Sequence, residues 1–241
     1  MTLAGPPAGP VAAPAAVRSI AADRPLEPVW QNQLGGITWR IGEPAECYVK
    51  WQPHGVVGLD LDAEAERMAW LAPHTPVPEV VDRDADGEGE WLATVAVPAR
   101  SAVDDGWKAN PGPAVRAIGT GLRRFHDAVP VDTCPFDWSV ETRLARARVA
   151  SPGPAPSIDR LVVCHGDACA PNTLVDPDGR FVAHVDVGSA GVADRWADLA
   201  VASWSLGWNF GEGWDVPFFE AYGVEPDAER MEFHRRLWDV T

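Results

Sequence analysis

What most limits the folds open to this chain is a change of hydrophobic period part-way along it. Up to about residue 97 the apolar residues fall in short alternating runs. ITWRI at 37–41 and CYVKW at 47–51 read as a two-stranded hairpin across a GEPAE turn, and VPEVV at 77–81 and EWLATVAVP at 90–98 as two further strands around the acidic stretch DRDADGEGE. Between the pairs, DAEAERMAWLA at 62–72 sets Ala65, Met68, Ala69 and Ala72 on one helical face, with Glu64 in the first turn, and stops before PHTPVP. From Pro113 the period becomes that of a helix: Val115, Ile118, Leu122 and Phe125 form a buried stripe, and SVETRLARARVA at 139–150 forms a second helix after a CPFDW turn. LVVC then opens a strand, loop, strand, turn, strand passage ending at Asp186, and helices are expected over 193–206, 218–222 and 227–238. A sheet-rich part followed by a helix-rich part predicts an α+β chain of two lobes joined near Val97–Ala99. The smaller lobe, 29–97, is a mostly antiparallel sheet with one helix, and the larger, 98–241, is mostly helical.

Residues 1–28 are rich in Ala and Pro and are expected to be a flexible tail outside the chemistry. They lack a basic n-region, and no run of eighteen apolar residues occurs anywhere, so the expected location is cytoplasmic. Cys47, Cys134, Cys164 and Cys169 form no CxxC pair and have no His at zinc spacing, which reads as four free thiols in a reducing compartment. With 35 Asp and Glu against 20 Lys and Arg, the formal charge is −15. Such a surface repels phosphate backbones and anionic membranes and attracts small polycations.

The chemistry concentrates in VVCHGDACAPNTLVDPDGRFVAHVDVG, residues 162–188. A hydrophobic strand delivers His165, Gly166 and Asp167 into a loop, Asn172 follows five positions after Asp167, and a later strand ends at Asp186. Oxygens of Asn172 and Asp186 can meet on one hard cation while a third carboxylate stands beside an acceptor hydroxyl, which is what phosphoryl transfer requires.

Here the chain resembles the aminoglycoside phosphotransferases, a branch of the protein-kinase-like fold. Their HGDxxxxN motif is present as HGDACAPN, the metal-binding motif as VDVG, and GVADRWADLA looks like the family's continuation. The resemblance covers roughly residues 30–241. It implies that Asp167 is the catalytic carboxylate, that Asn172 and Asp186 hold Mg²⁺, and that His165 is a scaffold residue. It also implies a strand lysine on the nucleotide phosphates held by a helix glutamate, for which Lys50 and Glu64 are the candidates, with Glu66 as an alternative. Taken alone, Lys50 reads as a strand-edge charge and Glu64 as a first-turn acid. Residues 95–99 align with the linker whose backbone meets the purine, giving Val95 and Val97 as nucleotide-binding positions. ATP and GTP both remain open.

On the acceptor side the chain departs from the family pattern. The helical insertion that usually precedes the HGD strand is reduced to the Pro-rich stretch 149–157. The terminal MEFHRRLWDVT looks like the family's last helix, with Asp239 and the Thr241 carboxylate as acceptor candidates, and Glu212 and Asp215 as further acids. Trp204, Trp208 and Trp214 are read chiefly as core. The reading is an ATP-dependent O-phosphotransferase acting on an aminoglycoside-like polycation and giving antibiotic resistance. Its rivals are a same-fold kinase of another hydroxylated small molecule (a sugar, an amino alcohol or another antibiotic) and a non-enzymatic binder.

Overall fold

The computed structural model of the protein describes residues 5–32, 34–56 and 60–241. The chain divides into two compact units, Met1–Trp70 with Pro78–Pro98 and Leu71–Val77 with Ala99–Thr241.

The first unit holds a five-stranded antiparallel sheet in the order β1-β2-β3-β5-β4, built from β1 (Leu26–Gln31), β2 (Ile37–Ile41), β3 (Cys47–Pro53), β4 (Val80–Ala85) and β5 (Gly89–Val95). Strand alternation sends Ile37, Trp39, Ile41, Cys47 and Val49 to one buried face. Lys50 therefore takes the other face, paired in the ladder with Thr38 and Leu92. Strand β4 begins three residues later than VPEVV suggests and takes in much of the acidic stretch expected to turn. It is an exposed edge strand, where charges such as Asp82 and Asp84 discourage further pairing.

Two expectations for this unit are corrected. Within the stretch expected to be a free tail, Ala15–Ala21 forms helix α1, and Leu26–Gln31 is strand β1 itself; residues 1–4 lie outside the described residues. Val17 and Ala21, one helical turn apart, are buried against Ile37, Trp39 and Ile41. Alanine favours the helix and its small side chain permits close packing, while Pro14 sits at the N-cap, where a missing N–H leaves no helical bond unmade. Helix α2 (Leu61–Leu71) has its buried stripe at Leu61, Glu64, Ala65, Met68 and Leu71, with Ala69 and Ala72 exposed. The stripe is rotated from the apolar one because Glu64 turns inward to meet Lys50.

The second unit carries β6 (Arg100–Ser101), α3 (Asp105–Ala109), α4 (Pro111–Ala128), α5 (Val140–Ala147), β7 (Leu161–Cys164), a single 3₁₀ turn (Ala170–Asn172), β8 (Thr173–Val175), β9 (Phe181–His184), β10 (Gly191–Asp194), α6 (Trp196–Phe210), α7 (Asp215–Tyr222) and α8 (Ala228–Val240). The stripe of α4 packs with Leu199, Ala202 and Leu206 of α6 and Phe218, Phe219 and Tyr222 of α7. Gly119 permits the α4–α7 approach, since a Cβ there would lie 2.6 Å from the Phe218 carbonyl oxygen. The helix expected from Ala193 instead starts at Trp196, because Ala193 and Asp194 pair with Val162 and Leu161 of β7. Ser139 and Asp227 cap α5 and α8 through their side chains. No described helix is long and apolar enough to cross a membrane.

Candidate active site

Strand β7, with Val162, Val163 and Cys164 buried, carries the chain to His165, Gly166 and Asp167. At Gly166 the backbone has φ +83°, and an added Cβ would lie 2.2 Å from the Ser189 carbonyl oxygen, so only glycine passes here without displacement. His165 is fully buried. Its Nε2 donates to the Val185 carbonyl at 3.0 Å, and its Nδ1 accepts from the Asp167 N–H at 3.2 Å. It is a strut that ties the loop to the end of β9, and both ring nitrogens are committed.

The Asp167 carboxylate has one oxygen, Oδ1, that is buried without a hydrogen-bond partner. Burial pushes this carboxyl above the usual range and nearby Asp186 adds to the effect, against the opposing pull of the Cys169 and Asn172 side chains. A buried carboxylate oxygen left unpaired is costly unless a ligand group completes it.

Asn172 ends the 3₁₀ turn, and its Nδ2 donates to the Asp167 carbonyl at 2.9 Å, which fixes the amide and leaves Oδ1 as the ligand atom. The Thr173–His184 pairing and the bond from the Val185 N–H to the Asn172 carbonyl, 3.0 Å, bring Asn172 within one residue of Asp186 across the β8–β9 ribbon. Asp186 itself has φ +59°, a left-handed conformation that is rare for a residue with a side chain and is typical of functional positions. A carboxylate and an anchored amide oxygen brought near one another across the β8–β9 ribbon are a hard-oxygen donor set, which fits Mg²⁺.

A different cluster, His126, Cys164 and Asp198, also brings three possible metal-ligating atoms within 4.8 Å. Here every group is already satisfied. Asp198 accepts the N–H groups of His165 (2.6 Å) and Gly166 (2.9 Å) and the Nε2–H of His126 (2.9 Å), and the Cys164 thiol donates to the Asp194 carbonyl. Burial alone would raise the Asp198 carboxyl; His126 and the other donors outweigh it and hold the carboxyl below the usual range. Asp198 is thus an ionised anchor for the backbone of the catalytic loop. Its place in GVADRWADLA is visible in the sequence, but its role rests on two backbone donors more than thirty positions away.

In the first unit Lys50 Nζ lies 2.5 Å from Glu64 Oε1, with the Glu64 side chain 9% exposed. Glu66 is exposed. In the linker stretch the Val95 N–H is given to the Glu79 carbonyl and the Ala96 N–H to Glu46. Val95 is itself exposed.

The acceptor candidates are not gathered into one group. Asp239 lines a hollow of about 300 Å³ between α6 and α8 with Trp204, Met231, Glu232, Arg235 and Arg236. Asp215 accepts from the Ser203 hydroxyl, which in turn accepts from Arg235 Nη2 at 2.8 Å. Glu212 is in an exposed loop. The Thr241 hydroxyl accepts from Arg143 of α5 at 2.8 Å and donates to the Leu237 carbonyl. Trp204, expected in the core, is half-buried on the hollow, and Trp208 is exposed.

The profile of the phosphotransferase enzyme family matches residues 37–151 and 141–234. The chain is 35% identical over 228 residues to an aminoglycoside 3'-phosphotransferase of Streptomyces fradiae, covering 80% of this chain and 84% of that one. It is 34% identical over 259 residues to the streptomycin 3''-kinase of Streptomyces griseus, covering 88% and 91%. Among solved structures, an aminoglycoside phosphotransferase of Streptomyces rimosus in complex with ADP and streptomycin superposes with a TM-score of 0.73 at 26% identity, over 93% of this chain and 95% of that one.

Proposed function

Since the chain belongs to the phosphotransferase enzyme family, we propose that it moves the γ-phosphoryl group of ATP onto a hydroxyl of an aminoglycoside antibiotic, with Asp167 at the point of attack. The observation that carries this is the buried, unpartnered Asp167 Oδ1 beside Asn172 and Asp186. An acceptor hydroxyl supplies the missing hydrogen bond. Asp167 thereby aligns the hydroxyl oxygen and takes its proton as the new oxygen–phosphorus bond forms and the β,γ-bridge bond breaks, giving the phosphate ester and ADP. Asp186 and the Asn172 amide oxygen would hold Mg²⁺, which when bound neutralises charge on the phosphates. Lys50, oriented by Glu64, binds the α- and β-phosphates, and the backbone near Val95 and Val97 meets the purine. A phosphate on the drug removes net positive charge and a recognition hydroxyl together, and so inactivates it.

The relatives of Streptomyces fradiae and Streptomyces griseus carry names for transfer to aminoglycosides, and the net charge of −15 suits such a polycation. A second reading, a kinase of another hydroxylated small molecule, draws on one feature: residues 149–160, between α5 and β7, contain neither helix nor strand, so the acceptor side lacks the expected insertion. Incubation of the purified protein with ATP, GTP and Mg²⁺ against a panel of aminoglycosides, sugars and amino alcohols, read by mass spectrometry, decides between the two. A phosphoryl adduct on aminoglycosides is expected; adducts only on neutral sugars or amino alcohols would transfer the case to the second reading.

A further inference from the structure

The Asp198 anchor does not end at His126. The His126 Nδ1 lies 2.8 Å from the Tyr222 hydroxyl, so Tyr222 of α7, His126 of α4, Asp198 of α6 and the backbone of the catalytic loop form one continuous hydrogen-bonded chain. All three side chains are buried, at 1%, 3% and 0% exposure, so none can meet a substrate.

An ionised Asp198 only accepts, so His126 presents Nε2–H to it. The Tyr222 hydroxyl, 2.8 Å from Nδ1, braces the ring from its opposite edge. Burial pushes the Tyr222 hydroxyl up to about 12, which keeps it protonated through the neutral range. Removing the Tyr222 hydroxyl leaves the ring held at Nε2 alone, free to tilt against the Asp198 carboxylate, which also holds the His165 and Gly166 amides.

We infer that Tyr222 is a positioning residue for phosphoryl transfer: by bracing the His126 ring at Nδ1 it sets the orientation of Asp198 and so the placing of Asp167. This rests on the reading of Asp167 as the acceptor-side carboxylate. The alternative role for the chain, plain core stability, makes different demands on the same variants.

The test uses Tyr222→Phe, which removes one oxygen from a buried ring, and His126→Gln, whose amide can still donate to Asp198 without any help from Tyr222. Tyr222→Phe is expected to lower kcat roughly ten- to a hundredfold, the usual loss when a supporting partner of a site is removed. KM for ATP should stay unchanged, and amide hydrogen exchange at Gly166 and Asp167 should become faster. In the His126→Gln background, adding Tyr222→Phe should cost nothing further in kcat, because the imidazole that Tyr222 braces is gone. Tyr222→Phe with wild-type kcat and wild-type exchange at Gly166 overturns the inference. So does a kcat loss of equal size in both backgrounds, which would assign Tyr222 to general packing. The exchange measurement needs no acceptor, so it separates this inference from failure of the proposed activity.

Discussion

At the scale of single residues, the site depends on groups whose hydrogen bonding is complete except where a ligand belongs. Asp167 Oδ1 is such a group, whereas His165 has both nitrogens engaged and no capacity for proton transfer. Asp167→Asn is therefore expected to lower turnover by orders of magnitude while affinity for the nucleotide persists, since the carboxylate acts on the acceptor. Steady-state rates beside nucleotide titration check this, and near-normal turnover would remove Asp167 from the mechanism. A second residue bears on stability. His234, buried in α8, is pulled by its burial, with Arg143 and Arg230 beside it, from 6.5 down to about 4. Its native pKa lies below its unfolded one, so the unfolded chain holds more protons between these values. The contribution is intact above pH 6.5 and is lost as the pH falls toward 4. At full extent the loss is roughly 3 kcal/mol. Buried His184 shifts in the same direction, so the informative quantity is a difference between proteins. Urea unfolding at pH 7 and pH 5 should show a smaller acid loss in His234→Gln than in the wild type, and equal losses would assign the acid sensitivity elsewhere.

At the scale of elements, α1 is the point at which the sequence reading fails. Its alanines and flanking prolines resemble those of a disordered arm, and Val17 is its only fully buried apolar anchor. What makes it an element is the partner surface, since Ile37, Trp39 and Ile41 offer a sheet face that would otherwise meet water. Removing residues 1–25 should therefore lower the melting temperature or the soluble yield, the opposite of what a free tail would do. Val17→Ala should cost about 2 kcal/mol for two methyl groups and the space they leave. Thermal unfolding of the truncated protein at the wild-type temperature would show that α1 is dispensable. By contrast the helical stripe of α4 and the ITWRI and CYVKW strands are legible directly, because their periods are local and their partners cover one face as the pattern demands.

At the scale of the whole molecule, the −15 formal charge acts on encounter more than on the fold. With a Debye length of about 8 Å in physiological salt, attraction of a polycation by spread carboxylates weakens as salt rises. KM for an aminoglycoside acceptor should therefore increase across an ionic-strength series. Exposed acids such as Glu212 contribute under about 1 kcal/mol each, so no single substitution at such a position should reproduce the effect of salt. An acceptor KM that is independent of salt would favour a neutral acceptor.

From sequence alone came the α+β plan, the loop bearing Asp167 and the company of Asn172 and Asp186, each carried by short-range order: a change of period, a strand leading into a loop, or a fixed offset of five residues. The pairing of Lys50 with a helix acid came only from the family resemblance, since the two residues read by themselves as a strand-edge charge and a first-turn acid. Tertiary structure alone decided that α1 belongs to the sheet, that Glu64 and not Glu66 faces Lys50, and that the Thr241 hydroxyl turns to Arg143. It alone also joined Tyr222 to His126, 96 residues away, and Asp198 to the loop amides, 32 and 33 residues away. Those choices belong to buried polar groups that must find partners wherever folding brings them, and no pattern of neighbours along the chain encodes which partner that is.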